Sequence, residues 1–300
     1  ATSYNNLASI YKDLGDYKSA LVAQQKAISI IEQVYESDHP HIATSYNNLA
    51  GIYRDLGDYE SALVAQQKDI SIIEQVYESD HPRIATSYNN LATIYFYLKN
   101  FSGAIEMTQQ AYAILKGALP EGHPNTETVK GNLLYFYQQY GDHLRGTGNY
   151  RQAIEQYQLV FAETQNGEIA NSIGLCHYYL AEYSQAIEYY QMAYENQGIA
   201  APAYWNNTGM AHAKLGQFPQ AHKCFSELQK LIPDNGLVYR DWCLYYCLKG
   251  ETQPALDHLA KAIELGYDNL DWLQTEPALA PICPLPPFQA LLQTLQSQKQ

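Results

Sequence analysis

Asparagine recurs in this chain in a way that raises a chemical question. Asn5, Asn47, Asn89, Asn171 and Asn206 occupy one repeating slot, the residue after a large aromatic position in an amphipathic stretch; Gln138 interrupts the row and Arg240 ends it. Asparagine is a mediocre helix former, so its return at mid-helix positions calls for more than local propensity. A carboxamide donates and accepts at once, and a row of them can hydrogen-bond an extended backbone whatever side chains that backbone carries.

Catalytic constellations are sparse by comparison. The sequence contains no G-x-x-x-x-G-K-S/T loop, no G-x-S-x-G, no H-E-x-x-H and no pair of C-x-x-C motifs. His39, His81 and His123 recur because a linker recurs, and helices packed about 10 Å apart do not bring three such residues to one ion, whose ligands each stand about 2 Å away. Cys243 and Cys247 lie one helical turn apart with His258 on the following segment, which falls short of the four ligands of structural zinc. We therefore expect no catalytic residues, no metal and no cofactor, and read the chain as a non-enzyme.

The elements that must carry the asparagines are set by repetition. Residues 1–42 and 43–84 agree at 37 of 42 positions and differ only at Ser9/Gly51, Lys12/Arg54, Lys18/Glu60, Ala27/Asp69 and His41/Arg83. Residues 85–126 reopen with the same ATSYNNLA and agree with the second unit at 16 of 42. An alanine after each turn recurs at Ala20, Ala62, Ala104, Ala153, Ala186, Ala221 and Ala255, spaced 42, 42, 49, 33, 35 and 34 residues apart, so seven units are expected. Each reads as two amphipathic helices around a turn. Tyr4, Leu7, Ala8 and Tyr11 share one face, Gly15-Asp16 breaks the pattern, and Ala20, Leu21, Ala27, Ile28, Ile31 and Val34 form the next. The linker Ser37-Asp38-His39-Pro40 offers a Ser or Asp cap ahead of a proline in the first helical turn.

Composition excludes several partner classes. The net charge is −13, with 18 Lys and Arg against 31 Asp and Glu, and the acidic excess runs through both halves; this argues against nucleic acid and anionic membrane. No apolar run approaches the ~20 residues of a membrane span, and the first residues lack a signal peptide's pattern. Five cysteines, all in the second half, suit reduced thiols and a cytoplasmic setting.

With Trp205, Gly209, Gly216, Phe218, Ala221, Phe225 and Pro233 in one unit and Tyr137, Gly141, Gly148, Tyr150, Ala153 and Tyr157 in another, the sequence resembles the tetratricopeptide repeat family; its first three units resemble the 42-residue variant of kinesin light chains and bacterial signalling proteins. The resemblance implies an all-α fold, a right-handed superhelical α-solenoid of about seven helix-turn-helix units. We expect three 42-residue units over 1–126, four further units over 127–266, the first with a lengthened helix, and a C-terminal capping segment over 267–300. Because residue 1 opens directly on a repeat, we expect further repeats or domains upstream.

The resemblance also implies a concave groove lined by the first helix of each unit. The Asn5-like positions would point into it, and Lys12, Arg54 and Arg145 would stand along the same wall to meet acidic side chains or a terminal carboxylate. The expected function is non-catalytic recognition of a partner protein or extended peptide by the C-terminal sensor or interaction part of a larger bacterial signalling protein, with an effector or ATPase domain upstream. A structural spacer or self-assembly module is the alternative. Gln24, Gln66 and Thr108, where the family carries an aromatic, suggest looser packing in the early units.

Overall fold

The computed structural model describes residues 1–298, and among them every regular element is helical. The chain forms two compact units that divide within one long helix, Ala1–Tyr140 and Gly141 onward. Unit 1 holds the hairpins α1 (Thr2–Asp13) with α2 (Tyr17–Ile31), α3 (Pro40–Leu56) with α4 (Tyr59–Val76), and α5 (Pro82–Tyr97) with α6 (Phe101–Ala118). Helix α7 (Pro124–Gly146) crosses into unit 2, where it pairs with α8 (Tyr150–Thr164). There follow α9 (Gly167–Tyr179) with α10 (Tyr183–Glu195), α11 (Ala201–Lys214) with α12 (Phe218–Leu231), and α13 (Gly236–Lys249) with α14 (Thr252–Glu264). The described chain ends with α15 (Leu270–Thr275), a 3-10 turn (Pro277–Leu279) and α16 (Pro286–Gln298).

Capping by the linker differs from the expectation in a way that explains its histidine. The cap is His39, not Ser37 or Asp38: its Nδ1 accepts the His41 backbone N–H at 3.1 Å, and Pro40 opens the helix. His81 caps Arg83 N–H at 3.1 Å and His123 caps Asn125 N–H at 3.2 Å in the same way. The second helices start on Asp16, Asp58 and Asn100, whose side chains accept from the residue three further on. At the turn inside each hairpin the backbone is left-handed, with φ of 76° at Gly15 and 79° at Gly57; Lys99 adopts it without a glycine's freedom, at 61°.

Alanines keep the hairpins close. Ala20, Ala62, Ala104, Ala153, Ala186, Ala221 and Ala255 are all fully buried, so the first and second helices meet at backbone distance. Between hairpins the apolar stripes interdigitate: Ile28, Leu49, Ala62 and Ile94 share one cluster, and Ile31, Ile42, Ile73 and Ile84 another. No single hairpin buries its stripe alone, and stability follows from stacking.

The two units fill the hairpin interior differently. In unit 2, Tyr157, Tyr190 and Phe225 lie over Gly141, Gly174 and Gly209, where an added Cβ would come within 2.8, 2.8 and 3.0 Å of the ring. In unit 1 the glycines become Ala8, Ala50 and Ala92 and the rings become Gln24, Gln66 and Thr108, which are 1%, 1% and 0% exposed. Thr108 donates to Ala104 O at 2.7 Å, and Gln24 donates to Ser45 O at 3.0 Å. All three polar side chains are thus buried, with hydrogen bonds in place of ring area.

Helix α7 reconciles the two periods. It begins in the first register, with the His123 cap and Asn132 standing 42 residues after Asn90, and ends in the second, with Tyr137 and Gly141. The seven extra residues of the 49-residue spacing lengthen this helix by close to two turns of 3.6. At the far end, Leu273, Leu279, Ile282, Phe288 and Leu292 cover Leu256 and Leu259 of α14.

Candidate functional site

In unit 1 the first helices of the hairpins form one wall, and the asparagines meet across it. Asn47 Oδ1 accepts from Asn90 Nδ2 at 2.9 Å and from Gln66 Nε2 at 3.4 Å. Asn89 Oδ1 accepts from Asn132 Nδ2 at 2.9 Å, and Asn5 Oδ1 from Gln24 Nε2 at 3.1 Å. Each of the three expected asparagines is half-buried, its oxygen committed to a neighbour. The amide nitrogens of Asn5, Asn47 and Asn89 and the carbonyl oxygens of Asn90 and Asn132 have no hydrogen-bond partner among the described residues. The wall thus carries one row of free donors beside a row of free acceptors. The second row was missed in the sequence, although the Asn89-Asn90 doublet was a signal for its first member; Asn132 follows Gly131 and carries no such mark.

An open cavity of about 250 Å³ lies over this wall, and Asn5, Ser9, Lys12, Asn47, Gly51, Arg54 and Asn90 line it. Asn89 is not among its lining residues. The expected cations are present, but engaged: Lys12 Nζ stands 3.1 Å from Asp55 Oδ2, and Arg54 reaches Asp55 Oδ1 with Nε at 3.1 Å and Nη2 at 2.9 Å. Two cations share one carboxylate, which leaves one net positive charge at this end.

Unit 2 distributes the remaining expected residues. Arg145 pairs with Asp142 at 3.3 Å, which also accepts from Tyr157 Oη at 2.7 Å; burial and that hydrogen bond push the Tyr157 phenol up. Asn171 is half-buried, and its Oδ1 has no hydrogen-bond partner among the described residues. Asn206 donates to Asp241, so it too is tied to the neighbouring first helix. Asp241 is 1% exposed and takes both Nε (2.9 Å) and Nη2 (2.6 Å) of Arg240; burial raises its carboxyl above the usual range against the pull of Arg240 and Asn206. The Arg240 guanidinium lies 5.8 Å from the Tyr267 ring centroid and 5.3 Å from that of Trp272. A second cavity, of about 410 Å³, opens here between α9, α11, α13 and α15.

Other candidate groups are structural. Cys243 and Cys247 are buried in the C-terminal core, while His258 Nδ1 lies 2.8 Å from Pro254 O. His177 and His212 hold Glu182 and Gln217 at the starts of the following helices, at 2.8 and 2.6 Å. Among the described residues no group of three or more His, Cys, Asp or Glu is placed to hold a metal, and no helix is long and apolar enough to cross a membrane.

A stack of helical hairpins joined in sequence, each paired through a buried alanine, defines an all-α solenoid whose first helices present a polar wall. Profiles described as tetratricopeptide repeat match residues 1–68 and 65–117, residues 141–204, and residues 202–235. The chain belongs to the tetratricopeptide repeat family. Among solved structures, the C-terminal part of a TPR repeat-containing protein from Cytophaga hutchinsonii is 16% identical, with 92% of this chain and 98% of that one covered and a TM-score of 0.53. A kinesin light chain protein of Podosopora anserina with nearly identical TPR-like repeats is 21% identical over 65% of this chain and 94% of its own, with a TM-score of 0.48. These likenesses concern the fold. A comparison with curated proteins returns no match. Proteins of this family are generally non-catalytic interaction scaffolds.

Proposed function

We propose that unit 1 binds an extended polypeptide along its wall of first helices, by hydrogen bonds to the backbone, and performs no chemistry on it. The observation that carries this reading is the polarity of the carboxamide lattice. Free amide nitrogens on Asn5, Asn47 and Asn89 suit backbone carbonyls, and the free oxygens of Asn90 and Asn132 suit backbone N–H groups. Repeats succeed one another at about 10 Å, and an extended chain advances about 3.3 Å per residue, so every third residue of the ligand meets the same slot. Within a larger bacterial signalling protein this wall would be the input surface. The unpaired thiols support a cytoplasmic setting, and the acidic balance supports a protein rather than a nucleic-acid partner.

The test changes Asn5, Asn47 and Asn89 together to Asp. Aspartate keeps the oxygen that accepts from Gln24, Asn90 and Asn132 and deletes the free donor. Selection from a library of uncharged extended peptides should yield binders for the unaltered protein, and the variant should lose them while retaining its helical signal. Undiminished binding by the folded variant refutes the proposal.

A further inference from the structure

The 410 Å³ cavity of unit 2 differs in character from the carboxamide wall of unit 1, and its volume falls in the range of about 300–1,000 Å³ typical of ligand sites. Part of its lining is apolar and aromatic, with Tyr178 and Tyr179 on α9, Met210 on α11, Leu244 on α13 and Trp272 on α15, and the carboxamides of Asn206 and Asn207 belong to its polar part. Two carboxylates and one cation stand in it, Asp241, Glu276 and Arg240. Two N–H groups of Arg240 donate to one oxygen of Asp241, so that pair is neutral within itself. Glu276 remains as the uncompensated charge. One of its oxygens accepts from Ala278 N at 3.1 Å and caps the 3-10 turn; the other has no hydrogen-bond partner among the described residues. The C-terminal segment therefore does more than cover α14, because it places an aromatic ring and a carboxylate at the end of the row of first helices.

We propose that this cavity takes the side chain of an arginine or lysine from an extended polypeptide lying along the first helices of unit 2, with its methylene stem along Met210, Leu244 and the tyrosines and its charged head at Glu276. This rests on the reading that the chain binds extended polypeptides, and it supplies that reading with a sequence preference. Long basic side chains bury their stems on apolar surface while their heads seek charge or π-faces, which matches the composition of the walls. Burial pushes the Tyr178 phenol up to about 12, and Tyr183 and then the carboxylates of Glu276 and Asp241 add to the shift. Residues 141–300 carry nine Lys and Arg against sixteen Asp and Glu, so the surroundings attract a cation on approach. An acidic ligand side chain would instead face two carboxylates with a single guanidinium that is already engaged.

Four fluorescein-labelled alanine-based octapeptides test this, identical but for arginine, lysine, glutamate or norleucine at one central position, with binding followed by fluorescence polarisation at low salt. The arginine and lysine peptides should bind at least tenfold more tightly than the norleucine peptide. E276Q, which keeps an oxygen to cap Ala278, should remove most of that preference and leave the norleucine peptide unaffected. Equal binding of norleucine and arginine, tighter binding of glutamate, or an undiminished preference in E276Q overturns the proposal while leaving polypeptide binding in place. Failure of all four peptides to bind overturns it together with the reading on which it rests. W272L provides a second variant: it should weaken the arginine peptide at unchanged helical content, and unaltered affinity there also counts against the proposal.

Discussion

Replacing Asp69 by alanine should leave the protein as stable as before or make it more stable, although Asp69 is a fully buried carboxylate with an ion-pair partner. Asp69 is 0% exposed, accepts from Gln66 Nε2 at 2.7 Å and Ser87 Oγ at 2.5 Å, and stands 3.7 Å from Arg83 Nη2. Its Oδ1 has no hydrogen-bond partner among the described residues. Breaking a buried ion pair by removing one partner ordinarily costs about 3–5 kcal/mol, because the other charge is left buried alone. Here the survivor is not buried: the Arg83 side chain is 27% exposed and also reaches Thr44 Oγ1 at 3.3 Å. The near-identical preceding junction shows the outcome of the substitution. There Ala27 and His41 replace Asp69 and Arg83, Gln24 donates to Ser45 O at 3.0 Å, and Ser45 Oγ donates to His41 O at 2.9 Å. Gln66 and Ser87 have the same backbone oxygens available in the variant.

Relief of carboxylate burial then outweighs the lost hydrogen bonds, and exchange of buried ionic groups for apolar ones is typically neutral or stabilising by about 1–4 kcal/mol. Allowing for the small volume removed, Asp69→Ala should change stability by between zero and about +2 kcal/mol, or up to about 4 °C in melting midpoint for a chain of this length. The pH dependence fixes the cause. Burial holds the Asp69 carboxyl above its ordinary 3.8, so between the two values the folded chain binds a proton that the unfolded chain has lost, and stability falls as pH rises through that window. The advantage of the variant should therefore grow as pH rises above the ordinary value and be smallest below it. Urea melts followed by circular dichroism at pH 7 and at about pH 3.5 measure it. A loss of 3 kcal/mol or more at pH 7, or an advantage that grows on acidification, refutes the relief of buried charge.

Three further perturbations follow from the backbone and the packing. Lys99→Gly removes a side chain from a left-handed turn whose counterparts are Gly15 and Gly57, and the thermal midpoint should rise by the equivalent of about 1 kcal/mol. Gly174→Ala places a Cβ 2.8 Å from the Tyr190 ring and should destabilise by about 1–3 kcal/mol in urea melts, an effect that Tyr190→Leu in the same chain should partly reverse. His81→Ala deletes the cap of α5 and should cost about 0.5–2 kcal/mol, whereas His81→Asn, which also presents an acceptor, should retain most of the stability; equal losses would show that the ring acts through packing.

Repetition made the fold legible. Gly15-Asp16, the spaced alanines and the 42-residue identity specify hairpins without reference to any partner, because each signal is local and recurs. The site was less legible for a physical reason: an asparagine's chemistry depends on which of its two ends is already used. Sequence placed Asn5, Asn47 and Asn89 in one row, but the oxygens accept from Gln24, Asn90 and Asn132, residues 19 or 43 positions away. The same limit hid the sharing of Asp55 by Lys12 and Arg54 and the tie of Asn206 to Asp241. Two of the five differences between the first units, Ala27/Asp69 and His41/Arg83, turn out to face each other, and only coordinates connect them. Glu276 and Trp272 lie beyond the last repeat, where periodicity offers no register to place them.

Selective ¹⁵N labelling of asparagine side chains reads the proposed contacts at the atoms concerned. On titration with a library-selected uncharged peptide, the Nδ2 resonances of Asn5, Asn47 and Asn89 should shift and exchange more slowly with solvent, while that of Asn90, already donating to Asn47, should move little. Saturable peptide binding that leaves all three resonances unmoved would contradict recognition through the carboxamide wall.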